Sequence, residues 1–433
     1  MDILLDIVHK HKSGSGSGIY SICSAHPIVL EAALLEGLAS GAPVLIEATS
    51  NQVNQFGGYT GMTPHDFHEF VMAIADKVDF PRERVLLGGD HLGPNCWQTE
   101  KAEQAMLKSE VLIEQYIAAG FRKIHLDCSM SCADDPVPLS GATVAQRAVR
   151  LCAVAERAWR TVGGEAPVYV IGTEVPVPGG AREELHALEV TRAAAANETI
   201  EVHRAAFIGA GLALAWLRVV GLVVQPGVEF DHDKVIDYCS SQAKELSSFI
   251  ESDPVLVYEA HSTDYQTSAN LKALVRDHYA ILKVGPGASF ALRETLWALA
   301  DIEAAWLGSH HSSNLKEVVL KVMRDEPKHW RNYYCEFARH EFDMQFSLSD
   351  RMRYYWPHPE VQRACATMLT NLDKSPPPLT LLSQYLPYQY AAIRAGNLRL
   401  ETSEILLEGV AMVLRQYRNA CSPTEYELEK NVR

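Results

Sequence analysis

The chain lacks most of what would place it in a membrane, outside the cell or on a nucleic acid. No apolar stretch runs uninterrupted for the roughly 20 residues that cross a bilayer. The opening residues, MDILLDIVHKHK, carry acids and no small-residue cleavage site, so no secretory signal is read there and a cytoplasmic location is expected. Nine cysteines are scattered without CxxC spacing, Cys128 and Cys132 being the nearest pair. That pattern predicts free, mostly buried thiols. Positive charge is in deficit, with 39 Lys and Arg against 54 Asp and Glu and a formal net charge of −15. Nucleic acid and anionic membrane both need a basic face and are excluded as partners. An anionic small substrate is not, because two or three well-placed cations or backbone N–H groups suffice for one. Ser13–Gly18 (SGSGSG) has no lysine after its glycines, so it is no phosphate-binding P-loop, and residues 1–18 read as a flexible lead-in.

What is present is regular. Apolar residues make up 47% and charged residues 21%, the balance of a globular protein whose 433 residues allow a large core. Short runs rich in Val, Ile and Leu recur at Ile19–Cys23, Val44–Ala48, Val85–Gly89, Lys123–Asp127, Val168–Thr173, Val219–Val224, Val255–Ala260 and Ile281–Val284. Without polar alternation, these are strands buried on both faces. Helical patterns separate them: Pro27–Ala39, a helix from Thr63-Pro64 to about Asp76, Glu100–Ala119, Thr143–Val162, Glu189–Leu217, Lys234–Ile250, Ala269–Arg276 and Phe290–Leu307. Eight strand–helix units over 19–307 predict an α/β fold, a closed (β/α)8 TIM barrel, in preference to an open doubly wound sheet. From Gly308 helices and aromatics dominate (WRNYYCEF, RMRYYW, QYLPYQY), with a break at KSPPP (Lys374–Pro378). No linker precedes this part, so 308–433 is expected to be a C-terminal helical extension packed on the barrel.

In such a barrel, chemistry sits at the carboxyl ends of the strands. Read in order, those ends are Ser24, Glu47, Asp90-His91, Asp127, Glu174, Gln225 with Glu229, Glu259 with His261, and Gly285. Packing has no need of carboxylates there. Four motifs stand out: GGDHLGPN (Gly88–Asn95), YEAHSTDYQ (Tyr258–Gln266), QPGVEFDH (Gln225–His232) and GTEVPVPGG (Gly172–Gly180). Any one histidine among them is more often structural than a ligand. Together, at neighbouring strand ends, they point to a divalent metal, with the mixed His and carboxylate set suiting Zn2+ or another borderline ion such as Mn2+, Co2+ or Ni2+. A Schiff-base route is less favoured: lysine occurs in the strands at Lys123 and Lys283, but not in strand 6, where class I barrel aldolases carry theirs. Metal polarisation of a sugar carbonyl, with a carboxylate moving the proton, fits better.

At these motifs the chain resembles the GatZ/KbaZ family, the Z-type subunits of class II D-tagatose-1,6-bisphosphate aldolase. The matching stretches are Ser21–Pro27, Ile46–Met62, Gly88–Trp97, Lys123–Cys132, Val170–Gly180, Val223–His232, Tyr258–Thr267, Ile281–Pro286 and Ser347–His358, running through nearly the whole chain. The resemblance implies a class II aldolase type of barrel and a role in galactitol, N-acetylgalactosamine or tagatose catabolism. It also implies assembly, as a homo- or hetero-oligomer, with a Y-type catalytic subunit that cleaves tagatose 1,6-bisphosphate. Z-type subunits are described as non-catalytic and required for full activity and stability of the Y subunit. Some have been called tagatose 6-phosphate kinases, a reading to which this sequence lends no ATP-binding motif.

Carried over residue by residue, Asp90 matches the proton carrier of the related catalytic aldolases, and His91 and His261 match two of their metal ligands. Their strand 6 histidine has no counterpart, since that region reads Gln225-Pro226-Gly227, and Glu229 or His232 would have to substitute. The candidates are therefore Asp90, Glu174 and Glu259 for catalysis, and His91, Glu229 and His261 for the metal. Glu47, Asp127, Gln225, Asp264, Lys283 and Arg351 are the candidates for contact with a phosphorylated ketose. Arg351 and Arg353 are expected at the barrel mouth, because an acidic protein that binds a sugar phosphate must bring cations to it. The superfamily also contains metal-dependent epimerases, so an aldolase or a ketose or sugar-acid epimerase in its own right is the alternative to an accessory subunit.

Overall fold

The computed structural model describes residues 3–173, 188–334 and 336–422. The eight apolar runs form eight parallel strands: β1 (Ile19–Ile22), β2 (Val44–Thr49), β3 (Val85–Leu92), β4 (Lys123–Leu126), β5 (Val168–Ile171), β6 (Val219–Val224), β7 (Val257–Ala260) and β8 (Ile281–Val284). Each pairs with the next, and β1 returns to β8 with Ile19 opposite Ile281, closing a (β/α)8 barrel. Helices wrap the outside, which is why the strands are apolar on both faces. The eight described cysteines are free thiols. Among the described residues no helix is long and apolar enough to cross a membrane.

The described part of the expected flexible lead-in, residues 3–18, is ordered by its contacts. Ile3–Lys10 is a helix, and its buried Leu4 and Val8 pack with Ile19, Leu45, Val168, Val220, Val257 and Ile281 across the amino-terminal end of the barrel. Leu4 and Val8 stand one helical turn apart, and the open floor of a barrel has apolar side chains to cover. His11 Nδ1 then meets the Ser17 carbonyl at 2.7 Å, and Lys12 donates to the Ile250 carbonyl at 2.7 Å. The glycines supply a turn, Gly14 and Gly16 having φ of 87° and 65°.

Two long helical readings are shorter in the structure. The 189–217 segment holds helices Ala193–Gly209 and Ala213–Trp216, broken at the left-handed Gly211. The 234–250 segment begins as a small antiparallel ribbon, Glu229–Phe230 with Val235–Ile236, before the helix Ser240–Glu251. Beyond the barrel six further α-helices follow among the described residues, from Leu315–Asp325 to Thr402–Cys421. The last of these lies along the β1–β8 seam. Arg415 and Arg418 pair with Glu36, Tyr417 donates to the Thr263 carbonyl at 2.8 Å, and the Cys421 carbonyl accepts the Gly18 N–H at 2.9 Å.

Because Leu4 is part of the barrel floor, Leu4→Ala is expected to lower unfolding free energy by about 2–5 kcal/mol. Urea unfolding followed by circular dichroism measures this; an unchanged midpoint would mean that the first helix is a bystander.

Candidate metal centre at the barrel mouth

The site begins with an irregularity in β3. Gly88 and Gly89 stand opposite Lys123 and Ile124, but the next paired residue, Leu92, stands opposite Leu126, so β3 carries an extra residue. Such a bulge re-aims side chains. His91 takes a left-handed backbone with φ 49°, uncommon for a residue with a side chain, and its N–H meets His125 Nδ1 at 3.2 Å. Glycine is needed at 88, where a Cβ would lie 2.6 Å from Glu47 Oε1, and at 93, where it would lie 1.8 Å from the Asp127 carbonyl oxygen. The chain thus crowds Asp90 and His91 into the barrel beside β2 and β4.

Around them the barrel interior is ionic. Lys123 reaches Glu47 and Glu259 at 2.5 Å each. Lys283 pairs with Glu47 and lies 3.1 Å from Asp90 Oδ1. Asp90 Oδ1 also meets His125 Nδ1 at 2.9 Å, His91 Nδ1 meets Asp127 Oδ2 at 2.7 Å, and His261 Nε2 meets Glu259 Oε1 at 2.9 Å. All of these side chains are buried. Burial pushes carboxyl groups toward protonation, but His91 and His125 hold Asp90 well below the usual carboxylate range, and His91 does the same for Asp127. Burial would discharge His91; Asp90 and Asp127 overcome it and raise its pKa to about 9. Burial lowers His261, and it brings the Lys283 amine down to about 8.

Four carboxylates therefore face two ammonium groups and one strongly basic imidazole, an excess of negative charge where a cation belongs. Asp90, His125, Glu259 and His261 each offer one ligand atom, and the four atoms lie within 4.8 Å of one another. His125 Nε2 is buried without a hydrogen-bond partner among the described residues. A nitrogen and oxygen donor set of this kind fits a divalent ion such as Zn2+. The imidazole rings of His91, His125 and His261 stand 4.9–5.4 Å apart, centre to centre. Asp127 orients the first of them through Nδ1.

Above this group opens a cavity of about 580 Å³. Asp90, His91, His261 and Lys283 line its floor, and Arg351 and Arg353 from the C-terminal extension line it as well. Tyr265 fastens that extension over the barrel by donating to the Leu348 carbonyl at 2.6 Å, and the Leu348 N–H donates to the His232 carbonyl at 2.8 Å.

The candidates from sequence fall into three places. Asp90, Glu259 and His261 come together in the ligand-capable group, with His91 beside it and Glu47, Asp127 and Lys283 in the ionic shell. Glu229 and Gln225 stand apart: Glu229 Oε1 accepts the Phe230 N–H, and Gln225 Oε1 accepts the N–H groups of Gly227 and Val228, closing the turn after β6. His232 is tied to Ser347 at 3.0 Å and is no substitute ligand either. The ligand-capable group instead draws on β4, through His125. Glu174 lies outside the described residues. His125 is no strand-end residue, and its one signal in the sequence is that Lys123, His125 and Asp127 alternate by two along β4 and so share the inward face.

Comparison with known proteins agrees with this architecture. Residues 4–422 match the family described as D-tagatose-1,6-bisphosphate aldolase subunit GatZ/KbaZ-like. The D-tagatose-1,6-bisphosphate aldolase subunit GatZ of Klebsiella pneumoniae subsp. pneumoniae is 54% identical over 418 residues, covering 96% of this chain and 99% of that protein. A crystal structure of a probable tagatose 6 phosphate kinase from Sinorhizobium meliloti superposes with a TM-score of 0.86 at 51% identity, covering 93% of this chain and 100% of that one.

The Asp127–His91 pair has a pH signature in chelator-treated protein. The His91 pKa is raised from 6.5 to about 9, so its contribution to stability is complete below pH 6.5 and is lost as pH rises through about 9. Asp127, held low, contributes above the usual carboxylate range and loses that contribution only in acid. Asp127→Asn is expected to cost about 3 kcal/mol near neutrality and to flatten the decline between pH 6.5 and 9. Chemical denaturation across that range checks it, and an unaltered slope would mean that Asp127 does not hold the imidazolium.

Proposed function

The chain belongs to the GatZ/KbaZ-like family of D-tagatose-1,6-bisphosphate aldolase subunits, and from that premise we propose that it serves as such a subunit, assembling with a Y-type partner that cleaves a phosphorylated ketose. Galactitol, N-acetylgalactosamine or tagatose breakdown is the setting that this reading assigns to it. The observation that carries the proposal is the buried group of Asp90, His125, Glu259 and His261, of which Asp90 and His261 line the cavity. A divalent ion held there, Zn2+ on this donor set, would supply Lewis-acid polarisation of a sugar carbonyl.

The accessory role is preferred because of what the neighbours do to Asp90. A general base works best with a pKa near the operating pH. His91 and His125 keep Asp90 ionised far below that range, which suits a ligand or an ion-pair partner better than a proton acceptor. The second reading, an aldolase or epimerase in its own right, is favoured by the completeness of the ionic shell. Burying each charge carries a penalty of several kcal/mol, and an inert wall of the barrel has no use for so many. The kinase reading draws no support from SGSGSG: that segment precedes β1, at the end of the barrel opposite the cavity.

Elemental analysis of the purified chain is expected to give about one equivalent of a divalent metal, falling well below that in His125→Ala and His261→Ala, as ligand loss requires. A full equivalent in both variants would remove the metal centre. Assays of the Y-type partner with and without this chain then separate the two roles. Asp90→Asn is expected to stimulate the partner about as well as the unaltered chain does, and neither should cleave tagatose 1,6-bisphosphate alone. If the unaltered chain turns over by itself and Asp90→Asn slows it by about 10²–10⁴, the independent enzyme replaces the accessory subunit.

A further inference from the structure

Phosphate commonly binds in these barrels at the N–H groups that open the helix after the last strand. Here that place is taken. Asp264 Oδ1 accepts the N–H groups of Gly285 and Gly287 at 2.9 and 2.8 Å, and the two glycines bracket Pro286, the first residue of the helix Pro286–Leu307. A carboxylate in that position supplies the negative charge itself and repels a second anion.

The cations that line the cavity are His91, which Asp127 holds at 2.7 Å, and Lys283, Arg351 and Arg353. Lys283 is engaged by Glu47 and Asp90. The arginines are not so engaged: among the described residues neither forms an ion pair with a carboxylate, and Asp350 beside them turns Oδ1 to the Met352 N–H at 3.2 Å. Arg351 is 4% exposed, donates through Nε to the His329 carbonyl at 2.8 Å, and leaves Nη1 buried without a hydrogen-bond partner. The rings of Tyr333 and Tyr354, at 3.5 and 4.6 Å from its guanidinium carbon, fix its plane. Arg353 is held by the Asp350 carbonyl at 2.7 Å and the Tyr354 hydroxyl at 3.1 Å. Burial would raise the Tyr354 pKa, and Asp350 pushes the same way, yet Arg351 and Arg353 draw it down to about 8.

We infer that Arg351 and Arg353 form the phosphate subsite of the cavity, taking over from the helix terminus that Asp264 occupies. The subsite receives a phosphoryl group of the sugar while the ketose end points toward Asp90 and His261, which rests on the proposed reading of the cavity as a sugar-phosphate site. Arginine, with its planar fork of donors, is matched to phosphate in a way that lysine is not.

Inorganic phosphate is the probe, titrated by calorimetry into the full-length chain as purified, at constant ionic strength. Arg351→Lys and Arg353→Gln are each expected to weaken phosphate affinity roughly tenfold or more. Unchanged affinity in both variants, or no phosphate binding by the unaltered chain, overturns the inference. Arg353 is only partly buried, so Arg353→Gln decides the matter if Arg351→Lys does not fold. The titration needs no partner subunit. Phosphate binding that depends on the arginines but comes without stimulation of a Y-type partner would sink the subunit reading and leave the subsite standing; the reverse pairing would sink the subsite alone.

Discussion

Glu47, Asp90, Asp127 and Glu259 project into one dry barrel interior, and an ionised carboxylate there survives only beside a positive charge or a hydrogen-bond donor. Much of the architecture follows from that requirement. Lys123 bridges Glu47 and Glu259 across the barrel, Lys283 joins Glu47 to Asp90, and His91 and His125 stand on either side of Asp90. Except for His91, a neighbour of Asp90 on β3, each compensating group comes from a different strand than the acid it serves, so the charges tie β2, β3, β4, β7 and β8 together. The bulge in β3 and the glycine at 88 are the backbone's part in this arrangement, making room for Glu47 and turning two consecutive side chains inward.

The balance is incomplete, and that is where chemistry enters. Lys123 and Lys283 pair with Glu47, Glu259 and Asp90, and Asp90, His125, Glu259 and His261 converge with one imidazole nitrogen unpartnered among the described residues. The C-terminal extension completes the other side. Its Tyr-flanked arginines face the same cavity, so a floor of anionic and imidazole groups meets a wall of cations. A ligand with a polarisable carbonyl at one end and an anionic group at the other matches that gradient. The cavity is closed only where the extension meets the barrel, since Arg351 and Arg353 come from the one and Asp90, His91, His261 and Lys283 from the other.

Much of this was legible in the sequence for a definite reason. Strands buried on both faces leave uninterrupted Val, Ile and Leu runs, and strand–helix alternation repeated eight times has few other solutions than a closed barrel. Polar groups at strand ends then stand out against an apolar background, which makes Asp90, His91, Glu259 and His261 candidates. The same logic failed where polarity lies inside a strand. His125 sits in the middle of KIHLDC, flanked by Ile124 and Leu126, and only its period of two with Lys123 and Asp127 marks it as inward-facing. It failed again at Gln225 and Glu229, where crowded polar residues after β6 close a turn through their own backbone. Local hydrogen bonding of that kind looks, in a sequence, no different from a ligand set.

By itself, then, the sequence determined the number and order of the strands, the barrel, the helical extension and the family, because these follow from hydrophobic period and from motifs that are contiguous in the chain. Tertiary structure alone decided which carboxylate meets which cation, that His125 and not Glu229 completes the ligand-capable group, that Ile3–Lys10 plugs the floor, and that Asp264 caps the helix where phosphate commonly binds. Those outcomes depend on distances of a few ångströms between residues tens to hundreds of positions apart. Barrel closure sets such distances, and no local pattern of residues encodes them.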